Sequence, residues 1–576
     1  MSQYLLMFSL GPVQQFIAAA RTTRDLWTGS FLLSWLTAHA ARQVLLAHGE
    51  FLWPAMAQNP LLQCLGQDCG RDDDRIDRIL TPTIPNTFTA MVENADVAER
   101  CRNAVIEEWR TIASAVHAEL DRQWQGRFAG WDFRWQEQID HFWDIRLHTH
   151  PVSEHDVHTA RRLLGSDASH ALEAGRQLIA AVAAADRLIR HYPAHETAGP
   201  AGDDHRPKCS MFGSMAQMGP LPSARQFWQQ VAQTQINGTR LGARDRLCAV
   251  ALVKRFAWSA YLARRPALDP AHVRFPDVDT VCAAEWLARS PHLGEYCRKS
   301  NWSGHWLRWR TREEAADEEN PPDPQTWSAI RQAVCEAGQP PAYYAILAMD
   351  GDGIGRLLRE ARQHAADISQ SLERYAQAAA PLVQQYHGRL VYAGGDDLLA
   401  LLPTACAVDC CGRLAREFSE LLPQRPTMSA GLAVAHFKHD LRLVLEAARQ
   451  AEQAAKSAGG NRLCLRVLRR SGEHSQVLIP WRLAPQVGAL IRRFQQGLSD
   501  RWIFQLRQLL PRMGECPDMA RLELERLLRR AQGVDETSAS AILALWDAHA
   551  ATDEPTQRAT LLHACSFLAR SRKDGE

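Results

Sequence analysis

Two short stretches of this chain carry carboxylates in a pattern that can do chemistry. YYAILAMDGDGIGRLL, from Tyr343 to Leu358, sets Asp350 and Asp352 at the end of an apolar run. RLVYAGGDDLLALLP, from Arg389 to Pro403, sets Gly394-Gly395-Asp396-Asp397 between two apolar runs. Alone, Asp-Gly-Asp is a common turn and Gly-Gly-Asp-Asp a good hairpin tip. Together, 46 residues apart from Asp350 to Asp396, each at the end of an apolar strand, they suit a site for two divalent ions. Mg²⁺ or Mn²⁺ takes oxygen ligands and keeps places for water and substrate phosphates. Nucleotidyl transfer uses two such ions ~4 Å apart, one activating the attacking hydroxyl and one stabilising the departing pyrophosphate. Asp350 and Asp396 are the carboxylates expected to meet, with the Gly351 carbonyl as a further ligand. Gly351, Gly353, Gly394 and Gly395 let the backbone approach a triphosphate closely. Lys456 and the following Gly459-Gly460-Asn461-Arg462 are placed to meet phosphate oxygens, Asp352 stands beside them, and Ser429 and Lys438 are weaker candidates.

The elements that must position these residues follow from periodicity. Residues 345–349 read as a strand, 354–387 as one or two helices, and the runs around Gly394-Gly395-Asp396-Asp397 as a β-hairpin. Residues 405–422 are helical, 427–436 a strand, 440–458 a helix and 461–468 a closing strand. That β-α-β-β-α-β order is the ferredoxin-like, or palm, topology. A faint copy precedes it. Residues 3–10 read as a strand broken by Gly11-Pro12, then a helix to about 48, then a strand pair near 84–92. FSLGPVQQF stands where LAMDGDGIG stands, and Pro85-Asn86 roughly where Asp396-Asp397 stands. The first copy has no carboxylate at its strand end, so only the second is expected to hold metal. Elsewhere, 95–125 reads as a helix, 126–165 as a strand with loops, 166–190 as an Ala-rich helix, 195–225 as irregular and 226–340 as helical, ending in an acidic, Pro-rich linker at 313–324. After Pro480 the pattern stays helical. The fold class is α+β and multidomain: a palm-like domain over 1–165, a central mainly helical domain over 166–340, the carboxylate-bearing palm over 341–475 and a helical bundle over 476–576.

The totals restrict the function. The chain has 576 residues, 66 basic and 65 acidic, and is 46% hydrophobic. Several cores are affordable, and a net charge of +1 excludes a chain that coats nucleic acid with its whole surface. Nucleic-acid contact must be local or shared with partner subunits. Fourteen scattered cysteines with no C-x2-C pair read as reduced thiols. No apolar run reaches ~18 residues and no export signal is visible, so the expected setting is cytoplasmic, without membrane contact.

With those residues in hand, the chain resembles the large subunit of type III-B CRISPR effector complexes, the Cas-ten family in its Cmr form. LGPVQQFIAAARTTRDLWTGSFLLS (10–34) is similar to that subunit's N-terminal segment. TIPNTFTAMV (83–92) resembles its P-N-x-F strand, with Thr87 in place of the usual Arg. KCSMFGSMAQMGP (208–220) with RLCAVALVKRF (246–256) resembles its central cysteine region, and the two acidic stretches its cyclase palm. The resemblance implies a subunit of a crRNA-guided antiviral ribonucleoprotein, assembled with smaller Cmr proteins, whose palm condenses ATP into cyclic oligoadenylate when complementary target RNA binds. It implies Asp350, Asp396 and Asp397 as metal and catalytic carboxylates. Asp396 would ligate directly, and Asp397 would orient it, bind the second ion or help deprotonate the attacking 3′-hydroxyl.

Two departures modify that expectation. Many members begin with an HD nuclease domain, whereas here the N-terminal hallmark starts by residue 10, so DNase activity is not expected. The His155-Asp156 pair in HTHPVSEHDVH (148–158) is read as structural or solvated. The family's paired C-x2-C zinc site is halved here, to Cys209 with Phe212 and Cys248 with Ala251. Two thiolates make a poor tetrahedral site, so apolar packing is expected in place of zinc, although Cys282 and Cys297 stand as possible substitutes. The Trp-rich runs at 124–143 and 302–309 read as core or subunit interface rather than base-stacking platforms, and the Arg-rich stretches 462–470 and 491–493 as solvated helix faces as readily as RNA contacts. Two other functions compete: a scaffold for crRNA and Cmr subunits with a silent palm, and a GGDEF-type diguanylate cyclase. The intact carboxylates oppose the first. Asp-Leu-Leu in place of Glu-Phe after the turn opposes the second.

Overall fold

The structure is a computed structural model that describes residues 3–65, 73–124, 132–152, 206–232, 234–236, 239–242, 244–264, 275–297, 302–311, 314, 321–360, 365–513, 517–549 and 555–570. The chain forms two compact units. One comprises Met1–Phe275 with Gly353–Gln377 and Val391–Gly395; the other Pro276–Asp352 with Ala378–Leu390 and Asp396–Glu576.

The first unit holds strands β1 (Gln3–Gly11), β2 (Glu50–Trp53), β3 (Thr87–Val92) and β4 (Asp144–Val152) in the order β2-β3-β1-β4, and a two-stranded ribbon, β5 (Gln235–Ile236) with β6 (Thr239–Arg240). β1 is antiparallel to both neighbours, pairing Phe8 with Phe88 and Gly11 with Asp144. Helix Thr23–Leu46 begins at a capping box in which Thr22 accepts from the Asp25 amide and Asp25 accepts back from the Thr22 amide. That helix is buried along nearly its whole length. The expected helix near 95–125 spans Val97–Trp124. β2 escapes the sequence reading because its four residues are too few to show a period. Residues 132–140, expected as strand and loop, form a helix.

The two family-like stretches of this unit interlock. Arg255 donates to both oxygens of the fully buried Asp25, at 2.5 and 2.8 Å, and to Asp245 at 2.9 Å. Lys254 Nζ donates to the carbonyls of Phe16, Ile17 and Ala19 at 2.5, 3.2 and 2.7 Å. Burial pulls Lys254 down to about 7, while three carbonyl acceptors match the full donor complement of an ammonium. Cys209 and Cys248 lie side by side among buried residues. The Cys209 sulfur accepts from the amides of Met211, Phe212 and Cys248 at 3.3–3.4 Å. Burial alone would raise its pKa, but these donors and the Cys248 thiol bring it down to about 7. Phe212 packs 5.6 Å from the Phe142 ring and 6.2 Å from Phe16. Cys282 belongs to the other compact unit, buried beside Trp286. Of the tryptophans in the 124–143 run, Trp124 and Trp135 are buried, and Trp124 donates to Thr234 at 2.6 Å. The Ala-rich helix at 166–190 and the His155-Asp156 pair lie outside the described residues.

The six-stranded sheet runs β12-β11-β10-β7-β9-β8, from β7 (Tyr343–Gly351), β8 (Arg389–Gly394), β9 (Asp397–Pro403), β10 (Met428–His436), β11 (Arg462–Leu468) and β12 (His474–Pro480). β7 is antiparallel to β9 and β10, and β10 is parallel to β11 through the crossover helix Leu441–Ser457. Strands β8-β9-β7-β10 repeat the order β2-β3-β1-β4, so the expected pair of palms is present. β10 is buried at all nine positions, as a strand covered on both faces must be. β12 adds an edge strand where the sequence reading passes directly from palm to helices. Within the second unit, Trp286, Trp306, Leu293 and Ile330 form a core with partly buried Trp302 and Trp309. The C-terminal region is helical as expected: Ala484–Gln495, Arg501–Met513, Pro517–Arg530, Glu536–Ala548 and Pro555–Arg570. No helix among the described residues is long and apolar enough to cross a membrane.

Candidate active site

Strand register brings the acidic stretches together. Met349 on β7 pairs with Leu398 on β9, so the next residues along, Asp350 and Asp397, stand at adjacent strand ends, and Asp397 hydrogen-bonds to Asp350. On its other side Asp350 is in register with Ser429 of β10. Helix Leu441–Ser457 crosses this face and delivers Lys456, whose ammonium lies 2.5 Å from Asp350 and 3.1 Å from Glu452. Glu452 was not among the sequence candidates; its i,i+4 spacing to Lys456 on one helix face is the signal that could have found it.

The electrostatics are those of a site short of positive charge. Burial and the nearby Asp350 charge push Asp396 up to about 6. Asp397 is pushed well above the carboxylate range by burial, by its hydrogen bond to Asp350 and by the charges of Asp350, Asp396 and Glu452. Its outer face is open to solvent, so the crowding of carboxylates weighs more than exclusion of water. Burial also raises Glu452. Lys456 is held above the usual lysine range because Asp350 and Glu452 outweigh its partial burial. Crowded carboxylates keep protons where no cation compensates them. Among the described residues no three acidic, His or Cys side chains form a ready-made metal cage. A hard cation that retains waters and takes phosphate oxygens needs only one or two carboxylates, and Asp350 with Asp396 or Asp397 fits that donor set.

Asp352 has a different task. Its carboxylate accepts from Thr427 Oγ1 at 2.7 Å, Ser429 Oγ at 2.6 Å and the Asn461 amide at 2.8 Å, while its own amide donates to the Thr427 carbonyl at 2.8 Å. Two sequence candidates, Ser429 and Asn461, thus donate to a third, Asp352, and tie the loop after β7 to the starts of β10 and β11. Ser429 is fully buried. Gly460 is required here: its φ is +71° and a Cβ would stand 2.9 Å from the Asp352 carboxyl. Arg462 bonds the Gly460 carbonyl at 2.8 Å. Gly395 makes the hairpin turn with φ +65°, and Gly394 accepts from the Tyr392 hydroxyl at 3.3 Å. Gly351 ends β7, in register with Met428. Lys438 is not brought to this cluster; it follows the far end of β10, with its ammonium 5.6 Å from the Phe437 ring.

In the N-terminal palm the equivalent strand ends carry none of this. β1 ends at Gly11 as β7 ends at Gly351, which sets Leu10 where Asp350 stands. Asn86 takes the position at the start of β3, and its side-chain amide donates to the Leu10 carbonyl at 3.0 Å. Leu10 is fully buried.

Residues 343–464 match the family model for Cas10/Cmr2, second palm domain, and residues 5–114 that for CRISPR-associated protein Cmr2, N-terminal. Over 243 residues the chain is 30% identical to the CRISPR system Cmr subunit Cmr2 of Pyrococcus furiosus, a match covering 35% of this chain and 28% of the relative. The chain thus spans less than a third of that curated relative's length. Two cryo-EM structures of type III-B Cmr-beta share the fold. The apo state has TM-score 0.63 at 14% identity, covering 93% of this chain and 78% of that one. The state bound to cognate target RNA has TM-score 0.61 at 14% identity, with coverages of 92% and 79%. Two stretches of the chain, residues 5–114 and 343–464, are thus similar to domains of the Cas10/Cmr2 family, and they fall on the two sheets of like strand order.

Proposed function

We propose that this chain is the large subunit of a crRNA-guided type III-B ribonucleoprotein and that its second palm joins ATP molecules into cyclic oligoadenylate when target RNA binds. The observation that carries the reading is the meeting of Asp350, Asp396 and Asp397 with Lys456 at the ends of β7 and β9. Two divalent ions, when bound, would activate the attacking 3′-hydroxyl and neutralise charge on the departing pyrophosphate. Asp350 and Asp396 would hold them, with the Gly351 carbonyl. Asp397, beside Asp350, would help accept the hydroxyl proton, and Lys456 would meet the triphosphate. Asp352, through Thr427, Ser429 and Asn461, keeps the loop after β7 rigid so that these groups stay aligned. The crRNA, the target RNA and the other Cmr subunits are the proposed partners; a chain of the same fold occurs in the structure of type III-B Cmr-beta bound to cognate target RNA.

The test uses the assembled complex with labelled ATP, Mg²⁺ or Mn²⁺ and target RNA. Cyclic product is expected from the native complex and is lost by at least ~100-fold in the Asp396→Ala/Asp397→Ala variant. A native complex that makes no nucleotide product with any target RNA would leave the scaffold function standing. Product from GTP alone would favour a diguanylate cyclase.

A further inference from the structure

The second compact unit contains a cavity of about 700 Å³ that the carboxylate chemistry does not use. Side chains alternate across a strand. On β10, Ser429 faces the carboxylates and Gly431 abuts the helix that carries Lys456. Met428 belongs to the opposite face, and there it lines the cavity with helix Ala407–Leu421, Trp481 and the start of helix Ala484–Gln495. The cavity and the carboxylate centre therefore lie on opposite faces of one sheet.

Its wall is cationic. Arg413, Arg416, Arg482 and Arg492 line it with one carboxylate, Asp409; Glu417 and Glu420 lie behind Arg413, and Arg416 and Arg482 have no carboxylate partner among the described residues. Arg492 pairs with Asp409, Arg413 bonds Glu417 at 2.7 Å, and Arg482 donates to the Ala548 carbonyl at 3.0 Å. Arg416 is exposed and has no hydrogen-bond or ion-pair partner among the described residues. Guanidiniums gathered in a concave site suit phosphate oxygens, which they can bind in bidentate fashion. Two half-buried aromatic rings share the wall: Tyr386, and Trp481, whose ring is held by its N–H to the Met428 carbonyl at 2.7 Å. Aromatic faces beside arginines are what a nucleobase on a phosphate requires. The volume falls in the roughly 300–1,000 Å³ range of small-ligand sites. Thr427 and Asn461 complete the lining, and these are the residues that grip Asp352 from below the catalytic loop.

We infer that this cavity is a second nucleotide site, separate from the carboxylate centre and independent of divalent metal. It takes a mononucleotide by its phosphates on Arg416 and Arg482, with the base against Trp481. Occupancy would bear on the carboxylates through Thr427, Asn461 and Asp352. The inference goes beyond the cyclase reading and does not need it.

The experiment measures binding of fluorescent ATP to the full chain in EDTA, which withholds the divalent ions that the carboxylate centre needs to take a triphosphate. Saturable binding at one site is expected. Arg416→Glu with Arg482→Glu should weaken it by about tenfold or more, Arg416→Gln alone by about threefold, and Asp396→Asn should leave it unchanged. Equal thermal unfolding of the variants excludes misfolding as the cause. Binding that is absent in EDTA, or that Asp396→Asn abolishes while the arginine variants spare it, overturns the site. Inorganic triphosphate competing as well as ATP removes the base contact and overturns the assignment to a nucleotide. Binding of single-stranded RNA without binding of ATP overturns it in favour of a polynucleotide phosphate contact. Loss of cyclic product in the Asp396→Ala/Asp397→Ala complex bears only on the carboxylate centre, so the two proposals fail separately.

Discussion

Lys456 is the residue on which the electrostatics of the second palm turn. Its ammonium is the single cation within ion-pair distance of Asp350 among the described residues, and it bridges Asp350 to Glu452. On the proposed function, a cation in that position would hold the place of a metal ion before substrate arrives. Lys456→Met leaves Asp350 without its ion-pair partner, with Arg449 the remaining cation acting on Asp397 and Glu452. Nucleotide binding should weaken while the carboxylates remain, so the KM for ATP should rise about tenfold or more, equivalent to ~1.4 kcal/mol, with a smaller change in kcat. Steady-state kinetics on the assembled complex measures both, and an unchanged KM would remove Lys456 from the triphosphate. At this scale the sequence shows Asp350, Asp396, Asp397 and Lys456 near recognisable element ends, which the fold brings together. It does not show that Asp352 and Ser429 bond each other. Whether a polar residue faces substrate or a neighbouring loop is a matter of side-chain direction, which spacing does not encode.

At the scale of elements, one contact holds the cationic helix to the sheet. Gly431 on β10 has no room for a side chain: a Cβ would overlap the carbonyl of Ala448 and the amide of Glu452. Gly431→Ala must lift helix Leu441–Ser457 from β10 and carry Glu452 and Lys456 with it. A loss of ~1–3 kcal/mol in stability, read from urea unfolding, should accompany a reduced yield in the assay of the proposed cyclase. The C-terminal helices have their own sensitivity to acid. His563 receives Arg507 at 2.7 Å and Arg469 at 3.4 Å on one ring nitrogen. Burial and these two guanidiniums pull it down to about 4. The unfolded chain therefore binds a proton that the folded chain refuses between about pH 6.5 and 4. Stability from this group is complete above pH 6.5 and is lost as pH falls through that window. Thermal unfolding should show a falling midpoint from pH 6.5 to 4, with a shallower slope in His563→Gln. Long periodic elements were legible at this scale. β2, β12 and the helix Asp132–Asp140 were not, because four to nine residues of mixed polarity carry no decisive period and take their state from what they pack against.

For the whole molecule, two palms of one topology differ in their strand ends, so metal should count one centre per chain rather than two. Mn²⁺ binding in the presence of a non-hydrolysable ATP analogue, followed by electron paramagnetic resonance, should vanish in Asp350→Asn/Asp396→Asn and persist in Asn86→Ala. Metal retained in the first variant would give the N-terminal palm a role that Leu10 and Asn86 do not suggest. The sequence by itself determined the two palms and their order, the carboxylates of the second and their lack in the first, because strand periodicity and glycine-bearing turns are local properties. The tertiary structure alone decided that Asp352 anchors a loop, that Glu452 joins the carboxylates, and that four arginines from three separate segments line one cavity behind the sheet. Each of these depends on register and on crossing helices that bring distant residues to one place, and no pattern along the chain records that meeting.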